Sequence, residues 1–200
     1  MDFEDTPEQA EFRSAVRHWL DANATRRTDR LYTGMEGEQA FLEAKEWYLK
    51  KSRAGFACLT WPKEYGGAGL TPLHEVIWAQ EVENYITRDA QFVIGIGNCG
   101  PAIMHFASEE AKLELLPRMA SAEDVWCQLF SEPSAGSDVA GLRTRAEQDG
   151  ENWLLNGQKI WTSGAQYSDY GVVLTRTDPT VSKYRGLTLF MIDMRQEGVE

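Results

Sequence analysis

The chain has 200 residues, of which 42% are hydrophobic and 26% are charged, a composition typical of soluble globular proteins. The chain has 20 Lys and Arg residues and 31 Asp and Glu residues. The resulting net charge of -11 disfavours nucleic acid as the main partner. No apolar stretch approaches the roughly 20 residues that a membrane-spanning helix needs. The N-terminus is acidic, whereas a secretory signal begins with basic residues. These features predict a cytoplasmic protein without a membrane span.

The three cysteines and three histidines share no metal-binding pattern. Cys58, Cys99 and Cys127 lie far apart among apolar neighbours, as is typical of reduced thiols in a core. The histidines are equally scattered, so the spacing predicts no metal site.

Helix signals dominate the first 123 residues, which we expect to form a helical domain. Thr6 and Pro7 combine a cap residue with a proline at the first helical position, and a glutamine follows at the capping-box position. Further helices are predicted over residues 40–51, from residue 72 and from residue 109, the last of them ending at Pro117.

Beyond residue 124 the apolar period changes from helical to alternating. The predicted strands cover residues 125–130, 144–147, 153–155, 159–161, 172–176 and 187–193. Asn156–Gly157 is a strong hairpin signal and predicts a tight turn between the third and fourth of these strands. Helices followed by strands indicate an α+β fold. We expect a helical domain over residues 1–123 and an antiparallel, β-barrel-like domain over residues 124–200, with an incomplete sheet.

Gly95, Gly97 and Gly100 match the dinucleotide-binding pattern G-x-G-x-x-G. That pattern requires a preceding strand and an acidic residue at the end of a second strand, whereas the neighbouring residues fit helices. We therefore expect these glycines to allow close packing and a break between two helices.

Small and turn-forming residues fill the segment from Ser131 to Asp138. Pro133 ends the preceding strand, and the residues after it leave backbone N–H groups unobstructed. Such a loop can bind a phosphate or the polar edge of a planar cofactor, with Ser131 and Ser137 adding hydroxyl donors. The alternative is a wide turn without a ligand.

The segment Ile160–Gly164 places Trp161 beside two hydroxyl side chains. A flat apolar ring next to hydrogen-bond donors suits an aromatic ring system with polar edge atoms. The alternative is a core tryptophan at the end of a strand.

Together, these two segments resemble signatures of the acyl-CoA dehydrogenase family. The run QLFSEPSAGSDVAG over residues 128–141 is similar to the family signature, and NGQKIWTS over residues 156–163 is similar to its second flavin-contact segment. Segments 61–70 and 100–117 also resemble the family's helical domain, so the resemblance covers nearly the whole chain. It implies a helical N-terminal domain, a middle β-domain and a C-terminal helical bundle, which we expect to lie outside these 200 residues.

The resemblance further implies an FAD site between the middle and C-terminal domains. The cofactor-binding residues implied by position are Gln128, Leu129, Phe130, Ser131, Gly136, Ser137, Trp161, Thr162 and Ser163. Ser131 would bond the pyrimidine edge of the flavin, Trp161 would pack on its ring, and Ser163 would place a hydroxyl near N5. Ser137 would also face the pantetheine arm of the substrate.

The chain departs from the family pattern at several of these positions. The family more often has tyrosine at position 128, isoleucine at 162, threonine at 163 and Asn-Gly at 164–165. This chain has Gln128, Thr162, Ser163, Gly164 and Ala165 instead. A hydroxyl group is nevertheless kept at position 163.

In this family a carboxylate removes a proton from Cα of an acyl-CoA thioester while a hydride leaves Cβ for flavin N5. The family's base is a glutamate in the C-terminal domain, so no catalytic residue and no metal ligand is assigned within the chain. Glu132 is expected to anchor the loop. We therefore expect the isolated chain to bind FAD poorly and to be inactive.

The resemblance implies an acyl-CoA substrate, an electron-transfer flavoprotein as electron acceptor, and a homo- or hetero-tetramer. Two alternatives stay open. The chain could be a non-catalytic subunit of a hetero-oligomeric acyl-CoA dehydrogenase, or part of a related flavoprotein acyl-CoA oxidase that uses O₂.

Overall fold

The computed structural model describes residues 4–27 and 37–200, which form two compact units. The helical unit draws on residues up to Gln91 and on Ile103–Glu123, and the sheet unit draws on Phe92–Ala102 and Asp124–Glu200. The predicted order of helices followed by strands, and hence the α+β class, is confirmed. No helix within the described ranges has the length and apolar character needed to cross a membrane.

The helices are α1 (Pro7–Asn23), α2 (Glu38–Arg53), α3 (Pro72–Val82), α4 (Gly100–Phe106) and α5 (Glu109–Ala120), with a π-helical turn at Gly95–Cys99. Three helices, α1, α3 and α5, begin where the sequence predicts, and the second begins two residues before the expected residue 40. The capping box at Thr6 is present, since its hydroxyl accepts from the backbone N–H of Gln9. The expected end of α5 at Pro117 is wrong, because the helix continues to Ala120. Pro117 lies near the end of the helix, where its missing N–H removes one intrahelical hydrogen bond.

The core of the helical unit lies between α1, α2 and α3. Val16 and Leu20 are fully buried and pack with Trp47 and Trp78. Two short strands, β1 (Thr25–Arg26) and β2 (Tyr85–Ile86), pair antiparallel beside this core. The prediction of reduced, buried thiols is confirmed for all three cysteines.

Five strands make up the sheet unit. They are β3 (Trp126–Leu129), β4 (Arg145–Asp149), β5 (Asn152–Asn156), β6 (Tyr170–Arg176) and β7 (Leu187–Asp193). β4 and β5 form a hairpin, and β7 runs antiparallel to all of β6. β3 and β6 are parallel, an arrangement that the long connection of residues 130–169, which includes β4 and β5, makes possible. The sheet is therefore mixed, which corrects the expected antiparallel arrangement, and its described strands do not close into a barrel.

The predicted hairpin at Asn156–Gly157 is wrong. β5 ends at Asn156, and the following segment to residue 164 runs without strand pairing. A two-residue turn of the expected type needs positive φ at both central residues, and neither residue has one. The hairpin turn lies instead at Gly150, whose φ is 62°.

Candidate functional site

A cleft in the sheet unit opens beside the end of β3. Its volume is about 210 Å³, and residues 128–131 and 160–163 supply most of its wall. The lining residues are Ile94, Gln128, Phe130, Ser131, Ile160, Trp161 and Ser163. Five of the nine residues predicted to bind the cofactor therefore line one cavity.

A backbone hydrogen bond joins the two stretches that form the wall. The N–H of Ile160 donates to the carbonyl oxygen of Ser131 over 2.9 Å. Upstream, Gly157 passes so close to Thr144 that a Cβ atom would lie 2.3 Å from Thr144 Oγ1. Because glycine has no side chain at this point, the second stretch can run alongside the first.

A buried carboxylate holds the loop that follows β3. Glu132 is 5% exposed and accepts hydrogen bonds from Arg143 N at 2.6 Å, Thr144 N at 2.9 Å and the Thr144 hydroxyl at 2.6 Å. Burial alone would raise the pKa of Glu132, but these hydrogen bonds and one from Lys159 lower it to about 2. The carboxylate is therefore ionised at neutral pH, and its predicted role as the anchor of the loop is confirmed.

Lys159 is the cation of this buried network. Its Nζ donates to Glu132 Oε1 at 2.9 Å, to the Phe130 carbonyl at 3.1 Å and to the Leu174 carbonyl at 2.7 Å. Burial lowers the pKa of Lys159, and the carboxylate of Glu132 opposes that shift. Because all three ammonium protons have acceptors, Lys159 ties the wall of the cleft to β6.

Trp161 combines an unusual backbone conformation with an exposed ring. Its φ of 57° lies in the left-handed region, which costs a bulky residue about 1–3 kcal/mol. The residue is 88% exposed, so little packing offsets that strain. The alternative of a core tryptophan is therefore wrong, and the indole offers a flat apolar surface beside the cleft.

Two hydroxyl groups that line the cleft, and that of Thr162 next to them in the chain, have no partner within the described residues. Thr162 Oγ1 is buried without a hydrogen bond, so the cost of removing it from water is not compensated. Ser131 and Ser163 line the cavity, and neither hydroxyl forms a hydrogen bond in the described part of the chain. With the indole of Trp161, these groups can bind a planar ring system at its face and at its polar edge.

Two lining residues, Ile94 and Ile160, were not predicted as site residues. Ile94 directly precedes the π-helical turn, where a Cβ at Gly95 would lie 3.2 Å from Trp126 Cβ. The predicted close packing of these glycines is confirmed at Gly95. That packing brings Ile94 to the cleft. The glycine pattern therefore predicts the close packing, but it does not show that the neighbouring Ile94 lines the site.

Four of the predicted cofactor residues, Thr162 among them, do not line the cavity. Leu129 packs in the sheet core with Cys127 and Val173, because successive residues of β3 face opposite sides. Gly136 and Ser137 are exposed in the loop after β3, and a Cβ at Gly136 would meet nothing within 4 Å. The loop therefore presents open backbone at these two residues, whereas the N–H of Ala135 already donates to the Glu132 carbonyl.

The helical unit contains a larger cavity of about 420 Å³ that holds none of the predicted site residues. Its lining residues are Lys45, Leu49, Ser52, Arg53, Ser121 and Glu123. Because no aromatic side chain lines it in the described structure, it suits a planar ring less well than the cleft does.

Two family models match the chain. One, described as acyl-CoA dehydrogenase, N-terminal domain, matches residues 6–123, and the other, described as acyl-CoA dehydrogenase, middle domain, matches residues 127–200. The acyl-CoA dehydrogenase IpdE1 of Mycobacterium tuberculosis is 37% identical over 194 residues, which cover 95% of this chain and 50% of that protein.

Solved structures with the same fold include a chain of the ChsE4-ChsE5 complex from Mycobacterium tuberculosis. It matches with a TM-score of 0.77 and 33% identity, over 99% of this chain and 49% of that one. A glutaryl-CoA dehydrogenase from Mycobacterium smegmatis in complex with FADH2 matches with a TM-score of 0.70 and 27% identity, over 97% of this chain and 47% of that one. The chain thus spans about half the length of these relatives.

Proposed function

The chain belongs to the acyl-CoA dehydrogenase family, and from this we propose that it forms part of an FAD-dependent enzyme that dehydrogenates an acyl-CoA thioester between Cα and Cβ. The observation that carries this proposal is the cleft beside β3. There, residues far apart in the sequence combine an exposed indole with hydroxyl groups that lack partners within the described residues. Similarity to a glutaryl-CoA dehydrogenase whose structure holds FADH2 supports FAD as the cofactor.

The residues of the cleft fit a flavin. Trp161 would pack against the ring, and a ligand that covers it would offset the strain of its backbone. Ser131 and Ser163 would donate hydrogen bonds to acceptor atoms at the polar edge of the flavin. When bound, FAD would supply the acceptor for the hydride that leaves Cβ.

The remaining predicted residues would extend the site beyond the cleft. Leu129 would contact the cofactor through its backbone, since its side chain faces the sheet core. Gly136 and Ser137 would present backbone N–H groups and one hydroxyl, to FAD and to the pantetheine arm of the substrate. Open space around Gly136 leaves room for such a ligand.

Glu132 is the acidic residue next to the cleft, but it does not suit the role of the base. A catalytic base needs a pKa close to the working pH. Hydrogen bonds hold the pKa of Glu132 at about 2, and its oxygens already accept from Arg143, Thr144 and Lys159. We therefore assign Glu132 a structural role; the family resemblance implies a glutamate of a C-terminal domain as the base.

The proposal is tested with the flavin absorption spectrum of the purified full-length protein. We expect a bound flavin whose oxidised bands bleach without oxygen when the correct acyl-CoA is added. If an electron-transfer flavoprotein restores the oxidised bands after bleaching, the protein is a dehydrogenase. Steady oxygen consumption during turnover indicates an oxidase instead. A protein that neither carries nor binds FAD would contradict the proposal.

The similarity to a chain of the ChsE4-ChsE5 complex favours a second candidate, a subunit of a hetero-oligomeric dehydrogenase. In that case a second type of chain would complete the active site. Native mass spectrometry of the protein purified from its own cells distinguishes the two. Two kinds of chain in one assembly support the second candidate, and one kind supports a homo-oligomer.

A further inference from the structure

We propose that Asn98 is a positioning residue that orients the side-chain amide of Gln128, so that its NH₂ group serves a carbonyl oxygen of a ligand in the cleft. This inference rests on the proposed function, because the carbonyl would belong to the flavin or to the acyl-CoA thioester. It concerns one of the positions where the chain departs from the family pattern.

The first observation is the hydrogen bond between these two side chains. Asn98 Nδ2 donates to Gln128 Oε1 over 2.7 Å. Asn98 lies in the π-helical turn Gly95–Cys99, and Gln128 lies in β3. In this pair the NH₂ of Asn98 is the donor, so the Gln128 amide presents its oxygen to Asn98 and directs its own NH₂ group elsewhere.

The second observation is the position of Gln128 in the wall of the cleft. Its side chain lines the cavity with Ser131 and Ser163. Its NH₂ group forms no hydrogen bond in the described part of the chain. With the oxygen held by Asn98, this NH₂ group is the part of the amide left for a ligand, and a donor there favours a ligand that presents an acceptor.

The π-helical turn is held firmly enough to act as a support. Gly95 packs against Trp126, and the thiol of Cys99 donates to the carbonyl of Cys127 over 3.5 Å. Both contacts join the turn to β3, the strand that carries Gln128. π-helical turns often occur at functional sites, where they displace a side chain from its regular helical position. Here the turn brings the amide of Asn98 within hydrogen-bond distance of the Gln128 side chain.

The test measures ligand affinity by calorimetry in the full-length protein. Asn98→Ala and Gln128→Leu should each weaken binding of the carbonyl ligand about 3- to 10-fold, the range of one hydrogen bond. The double variant should be no weaker than Gln128→Leu alone, because Asn98 acts only through Gln128. Asn98→Asp should weaken binding more than Asn98→Ala, since a carboxylate would capture the NH₂ group and turn the oxygen toward the cleft.

Two arms identify the source of the carbonyl. One uses FAD with the apoprotein, and the other uses butyryl-CoA and its thioether analogue, which lacks the carbonyl, with the flavin-loaded protein. If the variants change the affinity for FAD, the carbonyl belongs to the flavin. If they change the affinity for butyryl-CoA but not for FAD or for the thioether analogue, the carbonyl belongs to the thioester. Gly97→Ala is the matched control on the same turn, because a methyl group there meets nothing within 4 Å.

Unchanged affinity of Asn98→Ala in both arms would overturn this inference while the proposed function stands. Losses that multiply in the double variant would also overturn it, since Asn98 would then act independently of Gln128. A wild-type protein that binds neither FAD nor butyryl-CoA would overturn the inference and the proposed function together.

Discussion

Replacing Glu132 by glutamine removes the negative charge from the buried network that supports the cleft while keeping the shape of the side chain. The carboxylate accepts from four donors, and two of them are the backbone N–H groups of Arg143 and Thr144. A glutamine has one acceptor oxygen, so its NH₂ group would oppose at least one of these N–H groups. The ammonium of Lys159 would also stay buried without its counter-charge.

The size of this loss follows from the pKa of Glu132. Its value of about 2 in the folded protein, against an ordinary 4.5, corresponds to about 3 kcal/mol of stability at neutral pH. Because the folded-state pKa is the lower one, this stability is fully present above pH 4.5 and is lost as the pH falls toward 2. About half of it remains at pH 3.

Urea unfolding at pH 7 and pH 3, read by pulsed hydrogen exchange of peptides from β6, measures this contribution. We expect Glu132→Gln to lower the free energy of unfolding of the sheet unit by about 3 kcal/mol at pH 7 and by about half as much at pH 3. Glu147→Gln, at an exposed position of β4, should change it by less than about 0.5 kcal/mol. A loss below about 1 kcal/mol at pH 7, or the same loss at both pH values, would refute the reasoning.

Three further substitutions test the wall of the cleft and the loop beyond it. Gly157→Ala should cost about 2 kcal/mol or more in urea unfolding, because the new Cβ would lie 2.3 Å from Thr144 Oγ1, and an unchanged stability would contradict the close approach. Trp161→Gly should leave the free energy of unfolding equal or slightly higher, because it removes a strained and exposed residue. The same substitution should weaken FAD binding at least about fivefold, and unchanged FAD affinity would argue against stacking of the flavin on the indole. Gly136→Ala should leave the stability within about 0.5 kcal/mol and weaken FAD binding, and equal FAD affinity would remove the loop from the site.

Local signals in the sequence predicted much of the fold. The cap at Thr6, the short apolar run that became β6 and the alternating run that became β7 are patterns within single segments, so they could be recognised directly. The predicted turn at Gly157 is wrong because glycine occurs for two different reasons: it adopts positive φ in turns, and it allows another part of the chain to come close to its backbone. Only the position of Thr144, which comes from a distant part of the chain, shows which of the two applies.

The candidate site was predicted in part for the same reason. The segments containing Ser131 and Trp161 could be recognised as signatures, and the structure brings both to one cleft. The left-handed backbone of Trp161 and the contribution of Ile94 could not be predicted. The surrounding chain imposes the backbone conformation of Trp161 against its local preference. The position of Ile94 depends on how the π-helical turn packs against β3.

The central claim is that the cleft beside β3 binds a flavin, and hydrogen exchange of the full-length protein with and without FAD tests it most directly. We predict that FAD slows exchange in peptides covering residues 128–137 and 160–164, with little change in α1 and α2. Slowed exchange elsewhere, with none in these two stretches, would show that the flavin binds at another place and would contradict the claim.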